Sequence, residues 1–135
     1  MSGGGALNSE VQDFIRIAFG IEFVQGYGLT ETNAGLTIQA TDDLRGGIAG
    51  RPVPSVEIKL ESTPEICDRK NNPYLSTDTA DVEGNPIFGR GEIMARGPSI
   101  SLGYYMMPEQ TGEVYEVCLT MSLLSCTLGT PSYAF

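Results

Sequence analysis

An α/β fold is the expectation for this chain, and three features carry it. An amphipathic run that stops at a glycine reads as a helix. A short alternating run follows it directly and opens into a glycine-rich loop. Two more alternating runs lie downstream, separated by a long polar stretch. A helix feeding a strand with a glycine-rich loop at its far end is the arrangement in which ligands gather outside strand ends.

The helix is expected from Ser9 to Phe19. Ser9 and Gln12 have the spacing of a capping box, in which each side chain satisfies the other's backbone amide. Val11, Phe14, Ile15, Ala18 and Phe19 recur at helical spacing and define one apolar face, and Gly20 is a stop signal. Residues 21–25 alternate like a strand and run into Gly26-Tyr27-Gly28. Arg51-Pro52-Val53-Pro54 is extended and hostile to helix. Residues 55–60 read as a strand with Val56, Ile58 and Leu60 on one face, and residues 92–96 as another. Between them, residues 61–90 read as a polar excursion of turns. A short helix is expected from about Met107-Pro108 to Tyr115, with proline in its first turn. After Tyr115 the composition shifts, since Glu116 is the only charged residue of the last twenty. That tail, residues 116–135, is too short in its apolar part to span a bilayer.

The bulk composition narrows the function classes. A length of 135 residues suits one domain, and 41% hydrophobic residues suffice for a core. The 17 glycines and 8 prolines imply a loop-rich chain. A net charge of -9 argues against a nucleic-acid partner, which needs a basic face. With no histidine there is no Ser-His or Cys-His triad, and the spacing of the three cysteines, Cys67, Cys118 and Cys126, matches no zinc pattern. The odd cysteine count gives no disulfide framework, so a reducing compartment is the default.

The chemistry concentrates in Gln25-Gly26-Tyr27-Gly28-Leu29-Thr30-Glu31-Thr32. Adenine can stack on a tyrosine ring, and flanking glycines let the backbone approach the base. A threonine hydroxyl can donate to a phosphate oxygen, and a glutamate is a hard oxygen ligand for Mg²⁺. The run is neither the dinucleotide fingerprint, because Glu31 stands where the third glycine belongs, nor a Gly-Lys-Ser/Thr phosphate loop. From the residues alone two readings stay open: a nucleotide loop, or a glycine-rich turn with a surface glutamate. Asp78, Asp81 and Glu83 suggest Ca²⁺ only weakly, because they lack the EF-hand register and read as a solvated turn.

Tyr27-Gly28-Leu29-Thr30-Glu31-Thr32 resembles the signature of the adenylate-forming superfamily, which includes acyl-CoA synthetases, luciferases and peptide-synthetase adenylation domains. Ser2-Gly3-Gly4-Gly5-Ala6-Leu7 is similar to that family's Ser-Gly-Gly-Ala segment. Arg90-Gly91-Glu92-Ile93 through Gly97-Pro98 to Gly103-Tyr104-Tyr105 is similar to its later Gly-Glu-Ile, Gly-Pro and Gly-Tyr-Tyr run. The wording of residues 24–32 and 56–60, with the long insert before Gly91, resembles the long-chain fatty-acid–CoA ligases. The resemblance implies part of the large N-terminal adenylation domain, with part of an α/β sheet subdomain and part of a small distorted β-barrel in residues 1–115. It implies that the backbone at Gly4 and Gly5 faces the adenine amino group and that Tyr27 stacks on adenine between Gly26 and Gly28. Thr30 would bind the α-phosphate and Glu31 the Mg²⁺, making these two the catalytic pair. ATP/AMP, Mg²⁺, CoA and a fatty acid are the implied ligands. An intracellular location follows by resemblance, with association to endoplasmic-reticulum or other membranes.

The sequence departs from the family by omission. The Ser/Thr/Gly-rich phosphate loop, the ribose-binding Thr-Gly-Asp and the C-terminal catalytic lysine have no counterpart in these residues, and Thr111-Gly112-Glu113 mimics the second too early and with the longer acid. The expectation is an internal piece that exposes normally covered apolar faces, performs no ligation alone, and either pairs with a full-length synthetase or has no function of its own. The tail is expected to be unrelated to the family, a frameshift or splice product, poorly ordered or loosely docked.

Overall fold

The computed structural model describes residues 1–117 and 124–128. In chain order the elements are α1 (Ser9–Phe19), β1 (Gly26–Tyr27), a 3-10 turn (Thr30–Thr32), β2 (Thr37–Ile38), β3 (Arg51–Pro52), β4 (Glu57–Glu61), β5 (Thr63–Cys67), β6 (Pro73–Tyr74), β7 (Glu92–Arg96), α2 (Pro108–Val114), β8 (Tyr115–Val117) and β9 (Leu124–Leu128). Three antiparallel sheets result, ordered β1-β2-β3, β4-β7-β9-β8 and β5-β6.

Helix α1 has the expected bounds and ends at Gly20, whose φ of 59° is left-handed. Its cap differs from the expectation. Asn8, not Ser9, is the extended residue, and its side-chain oxygen accepts from the Glu10 amide at 2.7 Å. Its orientation is also reversed. The apolar positions Phe14 and Phe19 are 67% and 69% exposed, while Gln12 is fully buried. Gln12 and Arg16, one turn apart, face inward because backbone carbonyls there need donors. Arg16 donates from Nε to Phe23 O at 3.0 Å and from NH1 to Leu44 O at 2.8 Å.

The strand expected over 21–25 is a correction. Only Gln25 takes part in a bridge, parallel to Ser2, and the strand proper is β1. Ser2 runs alongside its end, where Ser2 N donates to Val24 O and Gly26 N to Ser2 O, both at 2.9 Å, while Phe23 O accepts from the Arg16 side chain rather than from a strand. Strand β1 then pairs antiparallel with β2, and β2 with β3. Gly50, just before β3, has φ 86°, and a Cβ there would lie 2.0 Å from the Ile38 carbonyl carbon, so Gly50-Arg51-Pro52 serves the fold.

Strands β4 and β7 match their expectations closely and pair over five residues, Glu57 opposite Arg96 through Glu61 opposite Glu92. The core is built here from Leu36, Val56, Ile93, Ala95, Ile100 and Tyr115, with Tyr27, Leu29 and Tyr104 packed against it. The polar excursion is more regular than its composition suggests, for it holds the β5-β6 hairpin. Arg90 closes it. Its guanidinium pairs with Asp68 at 2.8 Å and Asp78 at 2.6 Å and lies 4.8 Å from the Tyr74 ring centre. The Arg90 hydrogen bond holds the Asp68 carboxyl well below the usual carboxylate range. Asp78 is therefore engaged by Arg90, and Asp81 accepts from the Asn85 amide at 2.8 Å, as turn residues do.

Helix α2 begins at Pro108 as expected. Residues 124–128 form β9, antiparallel to both β7 and β8, with Ile93 opposite Leu128 and Tyr115 opposite Cys126. Residues 118–123 and 129–135 lie outside the described residues.

Candidate functional site

The loop after β1 is held by backbone geometry. Leu29 N donates to Thr32 Oγ1 at 2.9 Å, and that hydroxyl donates to Leu29 O at 3.0 Å. Thr32 is fully buried, so the turn closes on an internal lock. Asn33 and Ala34 follow with φ 49° and 79°, turning the chain back towards β2. The return brings Ala34 O to 1.6 Å from where a Gly28 Cβ would sit. Gly28 is required by this close approach.

Beneath the loop lies a polar core that sequence reasoning missed. Gln12, Gln25 and Gln39 are 0%, 6% and 2% exposed. Gln12 Nε2 donates to Gln39 Oε1 at 2.9 Å, and Gln25 Nε2 donates to Gln12 Oε1 at 2.7 Å. Gln39 Oε1 also accepts from Gln25 N at 3.1 Å, while Gln39 Nε2 donates to Asp43 O at 2.9 Å and Arg45 O at 2.6 Å. Leu7 N donates to Gln25 Oε1 at 3.2 Å, which ties the amino-terminal glycine segment to the same network. The network joins α1, Leu7 and the residues flanking β1 and β2 into one support. No short-range spacing links the three glutamines, and only their meeting in space reveals the network.

The structure sets the amino-terminal glycine segment beside the start of the loop. Gly3 abuts Gly26, its would-be Cβ lying 3.2 Å from Gly26 O, so Gly4 and Gly5 start beside β1. Among the described residues, no atom beyond the flanking ones lies within 4 Å of a Cβ built on Gly4 or Gly5, and Gly4 has φ 83°. Tyr27 is half-buried, Thr30 is exposed and Glu31 is half-buried. Gly4 and Gly5 thus leave open backbone near β1, while Tyr27 packs against the core and Thr30 and Glu31 stand further along the loop.

Glu31 is held from a distant part of the chain. Ser101 N donates to Glu31 O at 2.8 Å, and the Tyr104 hydroxyl donates to Glu31 Oε1. Asn33 Nδ2 donates to Ser99 O at 2.8 Å. Tyr104 stands edge-on to Tyr115 with ring centres 5.7 Å apart, and the Tyr115 and Ser101 hydroxyls hydrogen-bond at 2.5 Å. The Gly-Tyr-Tyr segment thus brings the Tyr104 hydroxyl to the carboxylate.

Among the described residues no three Cys, Asp or Glu side chains cluster as a metal cage. A lone carboxylate fits Mg²⁺, which keeps waters and takes phosphate oxygens alongside one or two carboxylates. A separate cavity of 370 Å³ lies between the 40–52 segment and Ile58, lined by Asp43, Arg45 and Arg51 among others, and none of the loop residues 26–31 reaches it. Among the described residues no helix is long and apolar enough to cross a membrane.

Residues 1–105 match the profile of a family described as AMP-binding enzyme. The chain is 38% identical over 115 residues to the Arabidopsis thaliana protein named long chain acyl-CoA synthetase 7, peroxisomal, covering 85% of this chain and 15% of that one. It is also 38% identical over 115 residues to long chain acyl-CoA synthetase 4 of the same plant, covering 84% of this chain and 15% of that one. The chain thus spans about 15% of the length of these relatives. Among solved structures, the anthranilate CoA ligase AuaEII in complex with anthranoyl-AMP superposes with a TM-score of 0.61 at 21% identity, over 92% of this chain and 20% of that one, a likeness of fold.

Proposed function

The chain belongs to the AMP-binding enzyme family, and from that premise we propose that it forms the adenine- and metal-binding face of a long-chain fatty-acid–CoA ligase. In the reaction we assign, a fatty-acid carboxylate oxygen attacks the α-phosphorus of ATP and pyrophosphate leaves, giving acyl-AMP. The thiol sulfur of CoA then attacks the acyl carbon and AMP leaves.

This chain's share of that work is binding and orientation. Tyr27 stacks on adenine, Gly26 and Gly28 admit the base, and the backbone at Gly4 and Gly5 meets its amino group. Thr30 donates to the α-phosphate, and Glu31 holds the metal. Mg²⁺, when bound, offsets charge that grows on the phosphates. The observation that carries this reading is the adjacency of the two glycine segments, Gly3 against Gly26, beside a half-buried tyrosine. Alone, the 135 residues supply one wall of such a site and would not ligate. The open apolar face of α1 favours a second role, pairing with a full-length synthetase. The name of one similar protein includes the word peroxisomal, and the reading carries an intracellular location with it.

Calorimetric titration of the chain with AMP tests the reading. Tyr27→Ala should weaken binding about tenfold or more, the loss of one base-stacking platform. A parallel pyrophosphate-release assay with ATP, CoA and palmitate should show no turnover. AMP binding indifferent to Tyr27→Ala would remove the adenine assignment, and clear turnover would remove the claim that these residues are one wall only.

A further inference from the structure

We infer that Tyr104 is a positioning residue for Glu31, presetting the carboxylate for a divalent cation; this rests on the reading of Glu31 as the metal ligand. The Tyr104 hydroxyl donates to Glu31 Oε1 across 73 positions of sequence. A carboxylate has two oxygens, so this bond leaves the other for a cation. A glutamate free in solution must give up side-chain rotamers when it binds, and fixing one oxygen beforehand lowers that cost.

Two other contacts already fasten the Ser99–Ser101 stretch to the loop: Ser101 N to Glu31 O at 2.8 Å, and Asn33 Nδ2 to Ser99 O at 2.8 Å. The phenol is not needed for that attachment. The Tyr104 ring is separately held, edge-on to Tyr115 at 5.7 Å, and Tyr104 N donates to Thr111 Oγ1 at 2.9 Å. The hydroxyl is thus delivered by a fixed ring to a fixed loop, the geometry expected of a partner that orients a ligating carboxylate. A phenylalanine would keep the ring packing and lose only the donor.

The test uses the full 135-residue chain, Mn²⁺ as probe and ATP as phosphate donor, with free Mn²⁺ read by electron paramagnetic resonance. Tyr104→Phe should weaken Mn²⁺ binding about tenfold, the usual loss when an orienting partner is removed. Metal-free AMP affinity and the thermal midpoint should stay unchanged, a split that a merely structural role would not produce. Glu31→Gln should abolish Mn²⁺ binding beyond that of ATP alone, leaving the free-ion signal at its protein-free level. If Glu31→Gln loses Mn²⁺ and Tyr104→Phe does not, the inference falls while the metal reading stands. If Tyr104→Phe weakens AMP and Mn²⁺ together, Tyr104 only holds the fold and the inference also falls. If Glu31→Gln binds Mn²⁺ like wild type, or wild type shows no ATP-dependent binding, the metal reading itself is overturned.

Discussion

Gly28→Ala should cost about 3 kcal/mol of stability, at the upper end for a steric insertion into a packed site, and should abolish AMP binding. The new methyl would stand 1.6 Å from Ala34 O and 2.6 Å from Ala34 C, both backbone atoms. A flexible side chain could swing aside, but this stretch cannot. Ala34 N is itself bonded to Leu29 O at 3.0 Å, and Leu36 N to Tyr27 O at 2.9 Å. Relief therefore requires the Asn33–Ala34 reversal to open, breaking those bonds and moving Tyr27 off the core that its ring touches. Gly35→Ala is the matched control, since nothing lies within 4 Å of its added methyl and its φ is not left-handed. Urea unfolding followed by circular dichroism reads both. An unchanged midpoint for Gly28→Ala would mean that the loop does not hold this conformation.

Gln39→Leu should be comparably severe, about 3 kcal/mol, although leucine fills nearly the same volume. The Gln39 side chain has four hydrogen-bond partners: Gln12 Nε2, Gln25 N, Asp43 O and Arg45 O. Leucine satisfies none of them, and buried groups left without partners carry the full desolvation penalty. The damage should spread to AMP binding, because Gln25 immediately precedes Gly26 and ties Leu7 to the loop. Gln39→Glu is the informative companion, for it keeps the acceptor and loses the donor to two carbonyls. Amide hydrogen exchange should show faster opening at Gln25, Gly26 and Tyr27 in the leucine variant. Protection equal to wild type would mean that the glutamine network is incidental.

Much of the fold could be read from residue patterns, where a local rule and the tertiary context agree. Helix α1, strand β7 and helix α2 fall where periodicity, Gly20 and Pro108 put them. The failures have a common cause, in that the partner decides. Residues 21–25 alternate like a strand, but among the described residues they bridge to a neighbour only at Gln25, and Phe23 O is taken by the Arg16 side chain. The apolar face of α1 is real as a pattern, yet the described chain satisfies Gln12 and Arg16 instead. The β5-β6 hairpin was hidden because Pro64 and the turn-forming Asp68 and Asn72 read as breakers, while its closing ion pair joins Arg90 to Asp68 across 22 positions. Of the site, Tyr27 and Glu31 stand out because their loop has a distinctive order. The Gln12-Gln25-Gln39 network and the Tyr104 contact to Glu31 do not, since each joins residues whose spacing obeys no short-range rule.

The central claim is that the Gly26–Glu31 loop and the Gly4-Gly5 backbone form one adenine-binding face. The most direct measurement is an amide nitrogen–proton correlation map of the isotopically labelled chain during titration with AMP. The largest shifts should fall on Gly4, Gly5, Gly26, Tyr27, Gly28 and Thr30, with the glutamine network moving less. Shifts gathered instead around the 40–52 cavity, with those six amides unmoved, would contradict it.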